Sequence, residues 1–159
     1  MIILGAAAFL LISYKGYNWI DDLVNTAAGL AALVICLCPC GGSEFWDLPH
    51  EAVGTFSLDL KTSGTIHNCA AFVFFALLAV NSLFLFTKTD GNMTREKKIR
   101  NIIYRVCGGG MCAAFLLLIP IFNFPCKIWA VEAIGLFFFG LSYITKSNYY
   151  PWLAADKAN

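Results

Sequence analysis

Five apolar stretches divided by short polar breaks, with almost all the positive charge gathered on one set of those breaks, constrain this chain more than any other feature. At 59% hydrophobic and 13% charged residues over 159 positions, and with a mean hydropathy of +0.70, the chain is too apolar for an ordinary soluble domain. The expected fold is all-α: a polytopic transmembrane bundle of about five helices in a single domain. The stretches predict helices near 2–14, 19–39, 66–86, 102–124 and 128–146, an outer loop over 40–65 and an inner loop over 88–101. A spanning helix needs about 20 apolar residues. Trp19 and Ile20 lengthen the second stretch, the fourth is interrupted by Gly108, Gly109, Gly110 and Pro120, and the first is short for a helix that crosses alone. A signal peptide is the rival reading of that first stretch, but Lys15 follows the apolar core where a basic segment should precede it.

Nine of the eleven basic residues fall on one side if the amino terminus lies outside. These are Lys15, Lys88, Arg95, Lys97, Lys98, Arg100, Arg105, Lys146 and Lys157, against Lys61 and Lys127 opposite. Lys and Arg bias sets orientation, so the nine-residue side is expected to be cytoplasmic. With a net charge of +1, nucleic acid is not an expected partner. Membrane lipids, other membrane subunits or a second copy of the chain are.

Seven cysteines include Cys36, Cys38 and Cys40 at alternate positions. On a helix these point about 200° apart and cannot converge on one metal unless the helix end unwinds, so small packing residues are the simpler reading. A Cys40–Cys126 bridge is an alternative on the outer side.

Two polar centres stand out. Glu132 lies roughly 7 to 8 Å below the outer end of its helix by helical rise, where an ionised carboxylate is costly and normally paired. His67 opens the third helix from the same surface. The two are the candidate acid/base residues, with a purely structural pair as the bland reading. His50 could complete a two-histidine, one-carboxylate set, but its spacing is not a diagnostic ligand pattern, and no metal or other cofactor is assigned. At the inner surface Asp21 and Asp22 suit the positive end of the second helix, Asn25 lies one turn further in, and Arg100, Tyr104 and Arg105 come from the fourth. Asp22, Asn25 and Arg105 are the candidate ligand-binding residues for a headgroup or anion. Capping and snorkelling explain the same residues without a ligand.

Several phrases resemble a family of uncharacterised bacterial multi-pass membrane proteins: Ser13-Tyr14-Lys15-Gly16-Tyr17 with Asp21-Asp22, Asn25 and Ala28-Gly29; Ile66-His67; Phe84-Leu85-Phe86-Thr87-Lys88; Arg100-Asn101 with Ile103-Tyr104-Arg105 and Gly108; and Glu132-Ala133-Ile134 through Phe139-Gly140-Leu141-Ser142. Members of that family look as though they carry a further amino-terminal helix and a Ser/Tyr-rich motif, so the resemblance implies a shortened member or a late start, and a place in a bacterial inner membrane. At fold level only, the arrangement is similar to the intramembrane zinc hydrolases that include alkaline ceramidases and the progestin and adiponectin receptors. Their histidine set cannot be assembled from His50 and His67. The expected function is non-enzymatic: lipid or apolar-ligand binding, or a subunit role in a membrane assembly. The alternative is a membrane-embedded, metal-dependent hydrolase acting on a lipid.

Overall fold

A computed structural model describes residues 2–38, 40, 55–56, 58–89, 93–117 and 127–147. The described residues form five α-helices and no strand: α1 Ile2–Ser13, α2 Trp19–Leu37, α3 Leu60–Val80, α4 Arg95–Leu116 and α5 Lys127–Lys146. A π-helical segment, Asn81–Leu85, continues α3. Three helical stretches are long and apolar enough to cross a membrane: Trp19–Leu37, Leu60–Leu85 and Ile128–Lys146. With 12 residues, α1 is about 18 Å long against a hydrocarbon core of about 30 Å.

Two helices begin earlier than hydropathy suggests. The start of α3 is Leu60 where Ile66 was expected, because the Asp59 carboxylate accepts from the Thr62 backbone nitrogen and hydroxyl at 3.3 and 3.5 Å, filling donors that a helix leaves open at its first turn. Residues 60–65, assigned to the outer loop on polarity, are therefore helical. Likewise Thr94 caps α4 by accepting from the Lys97 nitrogen at 3.2 Å, so Arg95–Asn101 is helical where a cytoplasmic loop was expected. Polarity marks where a chain meets water, and a solvated first turn is polar without being a loop.

The chain divides into two compact units, 1–77 and 78–159, with the boundary inside α3. No linker-like composition announces it. In the first unit α1 packs on α2. The buried face of α2 runs Asp21, Asn25, Ala28, Gly29, Ala32, Ile35, a helical stripe dominated by small residues of the kind that let apolar helices approach closely. At Gly29 a side chain would meet Ile12 Cγ1 at 2.5 Å and the Ala8 carbonyl oxygen at 2.7 Å.

In the second unit α4 packs on α5 and on the π segment. Its buried stripe is Lys97, Arg100, Tyr104, Cys107, Gly108, Met111, Ala114, one face that starts charged and ends apolar. At Gly108 a Cβ would fall on the Leu83 side chain and 3.3 Å from the Leu83 nitrogen, so glycine sets how closely α4 meets the π segment.

Candidate functional site: two polar layers and one histidine

In the first unit, the turn between α1 and α2 is built by its own carboxylates. Asp22 accepts from the Gly16 nitrogen at 2.7 Å and Asp21 from the Tyr17 nitrogen at 3.0 Å. Asn18 caps α2 by accepting from the Asp21 nitrogen at 3.2 Å. The Lys15 ammonium stands 3.6 Å from Asp22 but is largely exposed, so the pair contributes little. Asn25 is buried and donates its amide to the Asp21 carbonyl at 2.7 Å. Carboxylates at the first turn also match the positive end of the helix dipole. Asp22 and Asn25 thus lie one turn apart on α2, and the bonds they make hold the turn in shape.

At the opposite end of α2 the helix ends at Leu37, and Cys38 is extended, with φ −110° and ψ 101°. His67, buried on α3, places Nδ1 2.8 Å from the Cys38 carbonyl oxygen. A carbonyl only accepts, so Nδ1 carries the proton, and in the neutral ring Nε2 holds the lone pair. Beside it, the Cys40 thiol lies 4.0 Å from Asn68 Oδ1. His50 and Cys126 lie outside the described residues, and with them the third member of the metal set and the Cys40–Cys126 bridge. Among the described residues no three His, Cys, Asp or Glu side chains gather as metal ligands.

The second unit carries a polar layer that sequence reading only half found. Tyr104 is fully buried, and Arg100 donates Nε and Nη2 to its hydroxyl at 3.2 and 3.1 Å. Lys97 donates to the Phe86 carbonyl at 3.2 Å, just past the π segment. The rings of Phe86 and Tyr104 meet edge to face at 5.6 Å. Lys97 and Arg100 lie 5.9 and 6.0 Å from the Tyr104 ring centre, and Lys146 of α5 lies 5.7 Å from that of Phe86, within cation–π range. Lys97 and Arg100 are only 6% and 4% exposed. Arg105, the residue expected in this role, is exposed on the same helix.

Deeper in this unit, the buried Ser82 hydroxyl donates to the Tyr104 carbonyl at 3.0 Å and meets the Ser142 hydroxyl at 2.6 Å. Since Ser82 has one proton and the carbonyl takes it, Ser142 is the donor to Ser82. This node ties the π segment, α4 and α5 together. Turns of π-helix are rare and recur at functional sites; here the Phe86 nitrogen reaches back five residues to the Asn81 carbonyl at 2.9 Å.

Glu132 is half-buried on α5. It and His67 fall in different units, as do Asp22 and Arg105. Lys97, Phe86, Ser82 and Ser142 escaped the sequence reading. Lys97 could have been placed beside Arg100 by running the stripe of Tyr104, Cys107 and Met111 back toward the start of α4 at helical spacing. Comparison with protein-family models, curated proteins and solved structures finds no match.

Proposed function

We propose that the chain is a polytopic integral membrane protein of the bacterial inner membrane that binds lipid without transforming it. The observation that carries this reading is the distribution of apolar surface. Leu23 and Leu30 on α2, Phe72 and Phe84 on α3 and the π segment, and Trp129 and Phe137 on α5 are exposed, while Ser63, Asn81, Ser82, Ser142 and Thr145 are buried. A chain solvated by lipid arranges its side chains this way, since water is absent from the hydrocarbon core and polar groups must find partners inside the protein. Phospholipid should remain bound in stoichiometric amount when the protein is purified in mild detergent and weighed by native mass spectrometry. Retention of no lipid species at saturation would refute the reading.

In the proposed topology the amino terminus is outside and the start of α4 faces the cytoplasm. A cysteine introduced at Ser57 should react with an impermeant maleimide in intact cells, and one at Thr94 should not. The reverse labelling would overturn the orientation.

A lipid hydrolase is the second reading, favoured by the fixed ring of His67, whose Nε2 lone pair could serve as a base or a metal ligand; Glu132 is tested as a residue in its own right. The purified sample that tests lipid retention also separates the two readings: bound metal in stoichiometric amount, or cleavage of the retained lipid that Glu132→Gln abolishes, would favour hydrolysis over simple binding.

A further inference from the structure

We infer that the outward face of α4 built from Arg95, Lys98, Ile99, Ile102, Arg105 and Val106 is a contact surface for an anionic phospholipid leaflet. The inference rests on the lipid-binding reading and names the lipid class that this face would select. At about 100° per residue the six side chains fall on one stripe, opposite the buried stripe through Tyr104, Cys107 and Met111. All six are exposed, Ile102 and Val106 at 62% and 60%, so the protein leaves this face open.

Three cations share that face over about 15 Å of helix. Among the described residues none of Arg95, Lys98 and Arg105 makes an ion pair. Glu96, the acidic residue of the first turn of α4, lies about 100° round the helix from Arg95 and off the stripe. Arg95 and Lys98 also stand where the positive end of the helix dipole disfavours a cation. The phosphates of an acidic leaflet offset both costs. Past Arg105 the same face continues through Val106, Gly109, Ala113 and Leu116, exposed and uncharged. A face that passes from cationic to apolar along its length matches a leaflet that passes from headgroup to acyl chain. An acidic protein partner would account for the cations but not for the apolar continuation. Cα–Cβ bonds tilt toward the start of a helix, so Arg105 leans to the same end as Arg95 and Lys98. Its long side chain keeps the charge at headgroup level while Ile102 and Val106 meet acyl chains.

The test uses the full chain in bilayer discs of phosphatidylcholine with a minor fraction of phosphatidylglycerol. The photoreactive residue benzoylphenylalanine replaces Ile102 on this face or, as reference, the exposed Phe137 of α5, and the lipids crosslinked at each position are weighed by mass spectrometry. Phosphatidylglycerol should be enriched over its bulk fraction about fivefold at Ile102, equivalent to about 1 kcal/mol, the contribution of one basic residue near an anionic surface; at Phe137 it should not be enriched. Lys98→Gln with Arg105→Gln should return Ile102 to the bulk ratio, whereas Lys61→Gln, exposed on α3, should leave the enrichment intact. Lys98→Arg with Arg105→Lys keeps the charge and should keep the enrichment, which separates lost charge from lost structure. Salt at about 1 M, where the screening length falls to about 3 Å, should also abolish it. The same lipid ratio at Ile102 as at Phe137, or enrichment that survives Lys98→Gln with Arg105→Gln, would overturn the anionic contact while leaving lipid binding standing. So would lipid crosslinks at Phe137 with none at Ile102, the result for a face covered by another protein. No lipid at either position would remove the lipid-binding reading itself.

Discussion

Gly29→Leu is expected to separate α1 from α2 and to lower the thermal midpoint of the detergent-purified protein more than any other single change considered. The atoms that a side chain would meet include the Ala8 carbonyl oxygen at 2.7 Å and the Ile12 nitrogen at 3.2 Å, both backbone. No rotamer change relieves such a clash; the helix itself must move. Overpacking typically costs about 1 to 3 kcal/mol, and backbone contacts put this case near the upper end. Gly29→Ala should lose less, because alanine recovers roughly 0.5 to 1 kcal/mol of helix propensity over glycine, yet Ile12 Cγ1 at 2.5 Å still makes it a net loss. Tryptophan fluorescence during thermal unfolding, with Trp19 at the start of α2, reads the series. A leucine variant as stable as the parent would show that α1 does not dock on α2 as described.

The second large effect is expected for Tyr104→Phe. The substitution keeps the buried ring and its edge-to-face contact with Phe86 and removes only the hydroxyl that receives Arg100 at 3.2 and 3.1 Å. Hydrogen bonds to a charged group contribute about 1.5 to 3 kcal/mol, so the thermal midpoint should fall although the apolar packing is unchanged. A cycle with Arg100→Met isolates the contact: Tyr104→Phe should cost far less once Arg100 is gone. Equal cost in both backgrounds would mean the hydroxyl and the guanidinium do not stabilise one another. The backbone carbonyl of Tyr104 continues to receive Ser82, so the effect does not run through the serine node.

The contrast between these two positions shows what each level of description decides. Ala28-Gly29 was readable as a small-residue contact, because small side chains on an apolar helix have few roles other than close approach. Helix class, and the length and apolarity of α2 and α5, follow from the same local rule: lipid leaves the backbone no partner but itself, so a long apolar run becomes a helix whatever surrounds it. Asp59 and Thr94 carried equally local signals in their capping side chains, and hydropathy overrode them.

Burial of charge was of another kind. Charge alone does not distinguish Lys97 and Arg100 from Lys98 in the run Arg95 to Arg100; only helical spacing from Tyr104, Cys107 and Met111 does. The difference arises only when α4 turns one face toward the π segment and α5, carrying Lys97 and Arg100 inward and leaving Lys98 exposed. The proton order in the Ser82–Ser142 node and the ring tautomer of His67 are likewise set by partners distant in sequence, Tyr104 and Cys38. Sequence alone determined which apolar runs are helical, because that depends on each residue's own transfer between water and lipid. Tertiary structure decided which polar side chains are buried and what they bond, because a hydrogen bond is a property of two positions brought together.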